Sequence, residues 1–143
     1  MIYLDSSAVV KLVHEEPESV ALESWLSGDD RPLVTSVLTE IEVERALRRS
    51  DPDALPLATE VIDGLYRFDV DAAVRRAAAR FAEPTLRTLD AVHLATALEF
   101  GADLDAFVCY DRRLLEAAIA HGIAVASPGS VHSRLGDASS LAR

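Results

Sequence analysis

Short apolar runs alternate along this chain with segments in which apolar residues recur every three or four positions. Residues 2–4 are apolar throughout, as in a strand that is buried on both faces. The apolar residues from Ala8 to Val13 then repeat at helical spacing. The same patterns predict further strands at 32–36, 66–70, 106–110 and 122–126, and further helices at 17–26, 37–49, 72–82, 89–100 and 112–121, with one more helix ending at 64.

Strands that alternate with helices and lack polar alternation indicate a parallel sheet covered on both faces. We therefore expect an α/β fold, a three-layer α/β/α sandwich around a mainly parallel sheet of four to five strands. A length of 143 residues suits one domain, which we place at residues 1–126. Ser, Gly and Asp become frequent after that point, so residues 127–143 are predicted to form a loose C-terminal tail.

Composition narrows the functional classes. No apolar stretch approaches the roughly 20 residues that span a bilayer, and the N-terminus lacks the features of a signal peptide, so a cytoplasmic protein without membrane contact is expected. Cys109 is the only cysteine, which excludes an intramolecular disulfide or a thiolate cluster. The formal net charge of −10 argues against binding of nucleic acid through bulk positive charge. Nearly all the basic residues are arginines, however, which suit bidentate contact with single phosphates.

Three aspartates stand where the predicted sheet presents its carboxyl ends. Asp5 directly follows the first strand, Asp111 directly follows the fourth, and Asp90 lies in the first turn of a predicted helix. Ligands of open α/β sheets bind at that edge. The helix after the second strand adds a glutamate at the same edge, but spacing alone does not choose among its three candidates, which are Glu40, Glu42 and Glu44.

Four carboxylates at one edge would repel one another unless a cation lay between them. The donors are oxygens and no Cys or His cluster has metal-ligand spacing, so Mg²⁺, or Mn²⁺ in its place, is favoured over Zn²⁺. Each acid also has a purely structural interpretation. Asp5 and Asp111 are placed as helix N-caps, Asp90 as a first-turn acid that complements the helix dipole, and each glutamate as a solvated surface residue.

Four segments, spread over nearly the whole chain, resemble the motifs of PIN domains, in particular those of the VapC toxins of bacterial VapBC toxin–antitoxin modules. In chain order they are IYLDSSAVVKLV, TSVLTEIEVERALRR, LRTLDAVHLATAL and FVCYDRRLLEAA. The acids of the first, third and fourth motifs are matched by Asp5, Asp90 and Asp111. The second motif supplies a glutamate six residues after a strand-ending serine and three before an Arg-Ala-Leu, and both counts give Glu42.

The resemblance implies the toxin of a toxin–antitoxin module, a Mg²⁺-dependent endoribonuclease that hydrolyses RNA phosphodiester bonds. Its catalytic and metal-binding residues would be Asp5, Glu42, Asp90 and Asp111. The resemblance also implies tRNA or rRNA as substrate, a homodimer, and a VapB-type antitoxin that covers the acidic pocket. The chain departs from the family at one position, since Cys109 stands where the family often has Thr or Ser, two residues before the last acid.

Other interpretations stay open. An aspartyl phosphatase would need a second Asp two residues after Asp5, where this chain has Ser7. A non-catalytic PIN-like module that binds RNA or protein agrees with the acidic net charge and with Cys109, although the presence of all four acids argues against it. His93, one turn after Asp90, is expected to serve in packing or hydrogen bonding rather than as a metal ligand or base.

Overall fold

The computed structural model describes residues 1–131, which form alternating strands and helices. Five strands occur in this part of the chain: β1 (Ile2–Leu4), β2 (Leu33–Ser36), β3 (Tyr66–Phe68), β4 (Ala106–Val108) and β5 (Val125–Ala126). The α-helices of the same residues are α1 (Ser6–Val13), α2 (Ser19–Leu26), α3 (Leu38–Ser50), α4 (Leu55–Asp63), α5 (Ala72–Ala78), α6 (Thr88–Leu98) and α7 (Arg112–Ala120).

The strands form one sheet in the order β3-β2-β1-β4-β5, and every neighbouring pair is parallel. The first strand lies at the centre, where Tyr3 is aligned with Val34 of β2 on one side and Phe107 of β4 on the other. All the carboxyl ends therefore lie at one edge of the sheet, and the chain enters α1, α3 and α7 from that edge. The predicted α/β fold is confirmed.

Alternate residues of β1 face two separate hydrophobic layers. Ile2 and Leu4 pack with residues of α1 to α4, including Val43 and Leu47. Tyr3 faces the opposite layer, which α6 and α7 build around residues such as Leu94. Because both faces of β1 are covered, an uninterrupted apolar run is the sequence that suits this strand.

The element boundaries differ from the predictions in several places. Helix α5 ends at Ala78, earlier than the predicted limit of 82, and the third and fourth strands end at Phe68 and Val108. The side chain of Asp71 caps α5 by accepting a hydrogen bond from the amide of Val74 at 2.9 Å. Helix α6 begins at Thr88, one residue before the predicted start, and its N-cap is Arg87, which has extended backbone angles.

The residues after β5 begin the predicted tail, and the first of them contact the domain. Ser127 is buried and donates a hydrogen bond to the carbonyl of Cys109 at 2.6 Å. The hydroxyl of Tyr110 donates to the carbonyl of Pro128 at 2.9 Å. Residues 132–143 lie outside the described part of the chain, so the boundary at residue 126 stays a prediction. Among residues 1–131, none of the helices has the length and apolar character needed to cross a membrane.

Candidate active site

Asp5 lies where β1 passes into α1, and it has a structural role as well as a place in the site. Its side chain is the N-cap of α1, because Oδ1 accepts from the amide of Ala8 at 3.0 Å and from the Ser7 hydroxyl at 2.6 Å. Only 4% of the residue is exposed. Burial raises the pKa of Asp5, against the lowering effects of His93 and of these two hydrogen bonds. The carboxylate is therefore buried and held by hydrogen bonds to the first residues of α1.

Asp111 is the N-cap of α7 and lies three residues after β4 ends at Val108. Its Oδ1 caps α7 by accepting from the amides of Arg113 at 2.9 Å and Leu114 at 3.0 Å. For both aspartates the N-cap interpretation is thus correct, and it is compatible with a functional role. A cap needs only one carboxylate oxygen, and Oδ2 of Asp111 accepts no hydrogen bond from any described residue.

Cys109 connects these two aspartates. Its Sγ accepts a hydrogen bond from the amide of Asp111 at 3.2 Å, and its thiol interacts with the carboxyl group of Asp5. Burial, followed by the charge of Asp5, raises the pKa of the Cys109 thiol, which keeps it protonated. The thiol therefore contacts the carboxyl group of Asp5 and the backbone of Asp111, from the position where the family often has a hydroxyl.

Asp90 lies in the first turn of α6 and reports how the four predicted acids are arranged. Burial, together with the charges of Asp111, Asp5 and Glu42 in decreasing order, raises the pKa of Asp90 to about 6, although His93 opposes this shift. Each of the other three acids therefore acts on Asp90 electrostatically. The structure brings all four sequence-predicted acids into one neighbourhood at the carboxyl edge of the sheet.

Glu42 is distinguished from its two neighbours on α3 by its contacts. Its Oε1 accepts from the Ser6 hydroxyl at 2.9 Å and from Nε2 of His93 at 2.7 Å. Burial raises the pKa of Glu42, but the hydrogen bonds and charge of His93 and the Ser6 bond outweigh it, so the pKa lies below its usual value. The exposed Glu40 and Glu44 instead pair with arginines, Arg67 at 3.1 Å and Arg48 at 2.5 Å.

Two buried residues, His93 and Tyr3, connect Glu42 to the core by hydrogen bonds. His93 is 1% exposed, and its Nδ1 lies 2.8 Å from the hydroxyl of Tyr3, which is fully buried. The hydrogen-bonding role expected for His93 is confirmed by these contacts. Tyr3 was not among the candidate residues, because a tyrosine inside an apolar run is indistinguishable by sequence from an ordinary core residue.

The chemistry of the donor set suits a hard divalent cation. Four carboxylates lie near one another here, and their mutual repulsion helps to raise the pKa of Asp90. A bound cation would reduce this repulsion. Among residues 1–131, however, no three His, Cys, Asp or Glu side chains are already grouped closely enough to hold an ion. Asp5 and Asp111 each use Oδ1 to cap a helix N-terminus in this structure.

A separate groove of about 540 Å³ lies between α3 and α4. Its lining comes from the opposite side of α3 and includes Glu40, Glu44 and Arg67, but none of the four predicted acids. The acidic site is therefore not part of this groove.

The fold is that of a PIN domain, and the model of the PIN-domain family matches residues 2–120. A crystal structure of VapC20 from Mycobacterium tuberculosis, described as a toxin that cleaves the sarcin–ricin loop, superimposes with a TM-score of 0.70. The match covers 82% of this chain and 95% of that one, at 18% sequence identity. This likeness establishes a shared fold.

Curated relatives from M. tuberculosis cover almost the same length. Ribonuclease VapC35 (strain H37Rv) is 51% identical over 134 residues, which are 90% of this chain and 98% of that protein. Ribonuclease VapC47 (strain CDC 1551) is 40% identical over 135 residues, or 92% and 99%. The chain therefore belongs to the PIN-domain family and, within it, to the VapC ribonucleases. The predicted family, ribonuclease activity and toxin class are confirmed.

Proposed function

We propose that this VapC-type toxin is a Mg²⁺-dependent endoribonuclease whose ion is held by Asp5, Glu42, Asp90 and Asp111. The observation that carries the proposal is that the fold places all four acids at the carboxyl edge of the sheet. In agreement with this placement, burial and the charges of the other three acids raise the pKa of Asp90 to about 6. An arrangement that raises the energy of its own ionised state at neutral pH is one that a bound cation stabilises.

PIN-domain VapC ribonucleases generally use a divalent metal ion. We assign Mg²⁺ to this chain, with Mn²⁺ as the alternative, because the candidate ligands are all carboxylate oxygens. When bound, the ion supplies positive charge that neutralises the acids and polarises the phosphodiester.

The protein's own side chains supply placement and a proton acceptor. Asp5 is positioned by its cap bonds and by its contact with Cys109. Glu42 stays ionised, and its Oε2 accepts no hydrogen bond from residues 1–131. The free oxygens of Glu42 and Asp111 therefore orient the attacking water, and one of them accepts its proton.

The partners follow from the class of protein and from its charge. We propose tRNA or rRNA as the substrate, which requires the net charge of −10 to be offset locally at the site. We also propose a VapB-type antitoxin that inhibits the toxin by placing an arginine against the free carboxylate oxygens. A homodimer in the cytoplasm, where these RNAs occur, completes the proposal.

The direct test is cleavage of total RNA by the purified chain in Mg²⁺ and in EDTA, with Asp5→Asn beside wild type. We expect wild type to cleave only with Mg²⁺, and Asp5→Asn to lose roughly a hundredfold or more of that activity. Asn still caps a helix, so the variant should fold.

The matched control is Asp71→Asn, which changes another N-cap aspartate far along the chain and should leave cleavage unchanged. Cleavage that survives in EDTA, or equal rates for Asp5→Asn and wild type, would contradict the proposal. RNA binding without any cleavage would favour the non-catalytic PIN-like module instead.

A further inference from the structure

A buried chain of hydrogen bonds runs from the core to Glu42. The hydroxyl of Tyr3 lies 2.8 Å from Nδ1 of His93, and Nε2 of His93 lies 2.7 Å from Oε1 of Glu42. The Ser6 hydroxyl is 3.2 Å from the same Nε2 and 2.9 Å from the same Oε1. These residues come from β1, α6, α3 and α1, so the chain of bonds joins four elements of the fold.

The chemistry of the partners determines where the hydrogens lie. If the Tyr3 hydroxyl donates to Nδ1 of His93, the hydrogen of the neutral ring is on Nε2, directed at Glu42. The opposite tautomer would set the lone pair of Nε2 against a carboxylate oxygen. A doubly protonated ring also directs an N–H at Glu42, so His93 donates to Oε1 in either charge state.

The geometry of Tyr3 holds the imidazole in place. Its ring stacks on Phe107 with centroids 5.2 Å apart, and it meets the His93 ring edge-on at 5.9 Å. Both Tyr3 and His93 are inaccessible to solvent or nearly so. Neither side chain therefore has room to adopt another orientation without disturbing the core.

Glu42 needs such support more than the aspartates do. Asp5 and Asp111 are fixed because each caps a helix. Glu42 lies within α3 and has a longer side chain with more rotatable bonds. Within residues 1–131, its carboxylate accepts no hydrogen bond from the backbone. In the described part of the chain, the carboxylate is held by two side chains, Ser6 and His93, which both bind Oε1 and leave Oε2 without a hydrogen bond.

We propose that Tyr3 and His93 are positioning residues of the ribonuclease, which fix Oε1 of Glu42 so that Oε2 is presented to the ion or the attacking water. This inference rests on the proposed function of Glu42. Beyond that function, we infer that activity depends on Tyr3 of the central strand, which forms no hydrogen bond with any of the four acids and acts through His93.

The test compares His93→Gln and Tyr3→Phe with two matched controls. His121→Gln removes another histidine whose Nε2 lies 2.8 Å from a glutamate oxygen, that of Glu83, and Tyr66→Phe removes the hydroxyl of an exposed tyrosine. We expect His93→Gln to lower kcat roughly 10- to 100-fold and Tyr3→Phe roughly three- to tenfold, with KM for RNA unchanged. Both controls should match wild type.

Two further measurements separate positioning from general damage. Calorimetric titration of RNA-free protein with Mn²⁺ should show roughly tenfold weaker binding for His93→Gln. In the background of Glu42→Gln, adding His93→Gln should cause no further loss of kcat, because a residue that acts through Glu42 has nothing left to position. If His93→Gln does not fold, Tyr3→Phe decides, since it keeps the stacked ring.

The inference is overturned if folded Tyr3→Phe and His93→Gln retain wild-type kcat and Mn²⁺ affinity, or if their losses add to that of Glu42→Gln. These results differ from failure of the proposed function. If the proposed function is wrong, the wild-type protein itself will show neither Mn²⁺ binding nor metal-dependent cleavage. The positioning role of Tyr3 and His93 would then be wrong as well.

Discussion

Asp90→Asn will abolish metal-dependent RNA cleavage and, in EDTA at pH 7 to 8, will make the protein more stable than wild type. Burial and three neighbouring acids raise the pKa of Asp90 to about 6 in the folded protein, from an ordinary value of 3.8. The folded state therefore binds a proton more tightly than the unfolded state, and ionisation at neutral pH opposes folding. Because Asp90 is partly exposed, removing its charge should increase the free energy of unfolding by about 1–2 kcal/mol, which corresponds to a rise in Tm of roughly 3–6 °C.

The pH dependence has a definite sign. In metal-free wild type, the stabilisation linked to Asp90 is fully present below about pH 4 and is lost as pH rises through about 6. The difference in Tm between Asp90→Asn and wild type should therefore grow over that interval. Added Mg²⁺ should make wild type more stable than Asp90→Asn, because the ion stabilises the folded protein by binding and should bind the variant more weakly.

Thermal melts in EDTA and in Mg²⁺ between pH 4 and 8 would measure both effects. The structural interpretation of Asp90 predicts the opposite sign, since removing an acid that only complements a helix dipole costs about 0.3–1 kcal/mol. An Asp90→Asn protein that is less stable than wild type in EDTA would therefore contradict the charge-cluster account.

Glu42→Gln is expected to lose roughly a hundredfold or more of the cleavage rate, whereas Glu40→Gln and Glu44→Gln retain it within about twofold. Glutamine keeps the shape of Glu42 and still accepts hydrogen bonds from Ser6 and His93, so the fold is preserved. What is lost is the negative charge at the site. The two control variants break exposed ion pairs with Arg67 and Arg48, which contribute little to stability.

Initial rates of RNA cleavage for the three variants, with circular dichroism to confirm folding, provide the measurement. Equal losses at all three positions would indicate a general effect of the charge of α3. A normal rate for Glu42→Gln would remove this residue from the site.

The positions of Asp5 and Asp111 were predictable because each directly follows a predicted strand. In a parallel sheet that location determines the edge at which a side chain lies, whatever the details of packing. The same location makes both residues N-caps, so the structural and functional interpretations of the sequence were not alternatives.

Glu42 could not be identified from spacing, because its distinction from Glu40 and Glu44 depends on which side of α3 faces α1 and α6. That is a property of tertiary packing, and the choice of Glu42 came from the resemblance to a family. Tyr3 was hidden for a related reason. Its hydroxyl matters only because α6 places His93 above it, and residues 90 positions apart carry no local signal of contact.

Helix and strand limits were the least predictable features. The helix predicted over 72–82 ends four residues early, at Ala78, and a turn begins at Ala79. Thr88 has the chemistry of an N-cap, but Arg87 has the extended backbone conformation of that position, which the sequence does not reveal.

The most direct test of the four-acid site is anomalous diffraction at the manganese absorption edge from crystals of the wild-type protein soaked in Mn²⁺. The account predicts a peak within coordination distance of carboxylate oxygens of Asp5 and Asp90, with Glu42 and Asp111 bound directly or through water. Mn²⁺ bound only at other acidic surfaces, with the Asp5 and Asp90 side chains too far apart to share an ion, would contradict it.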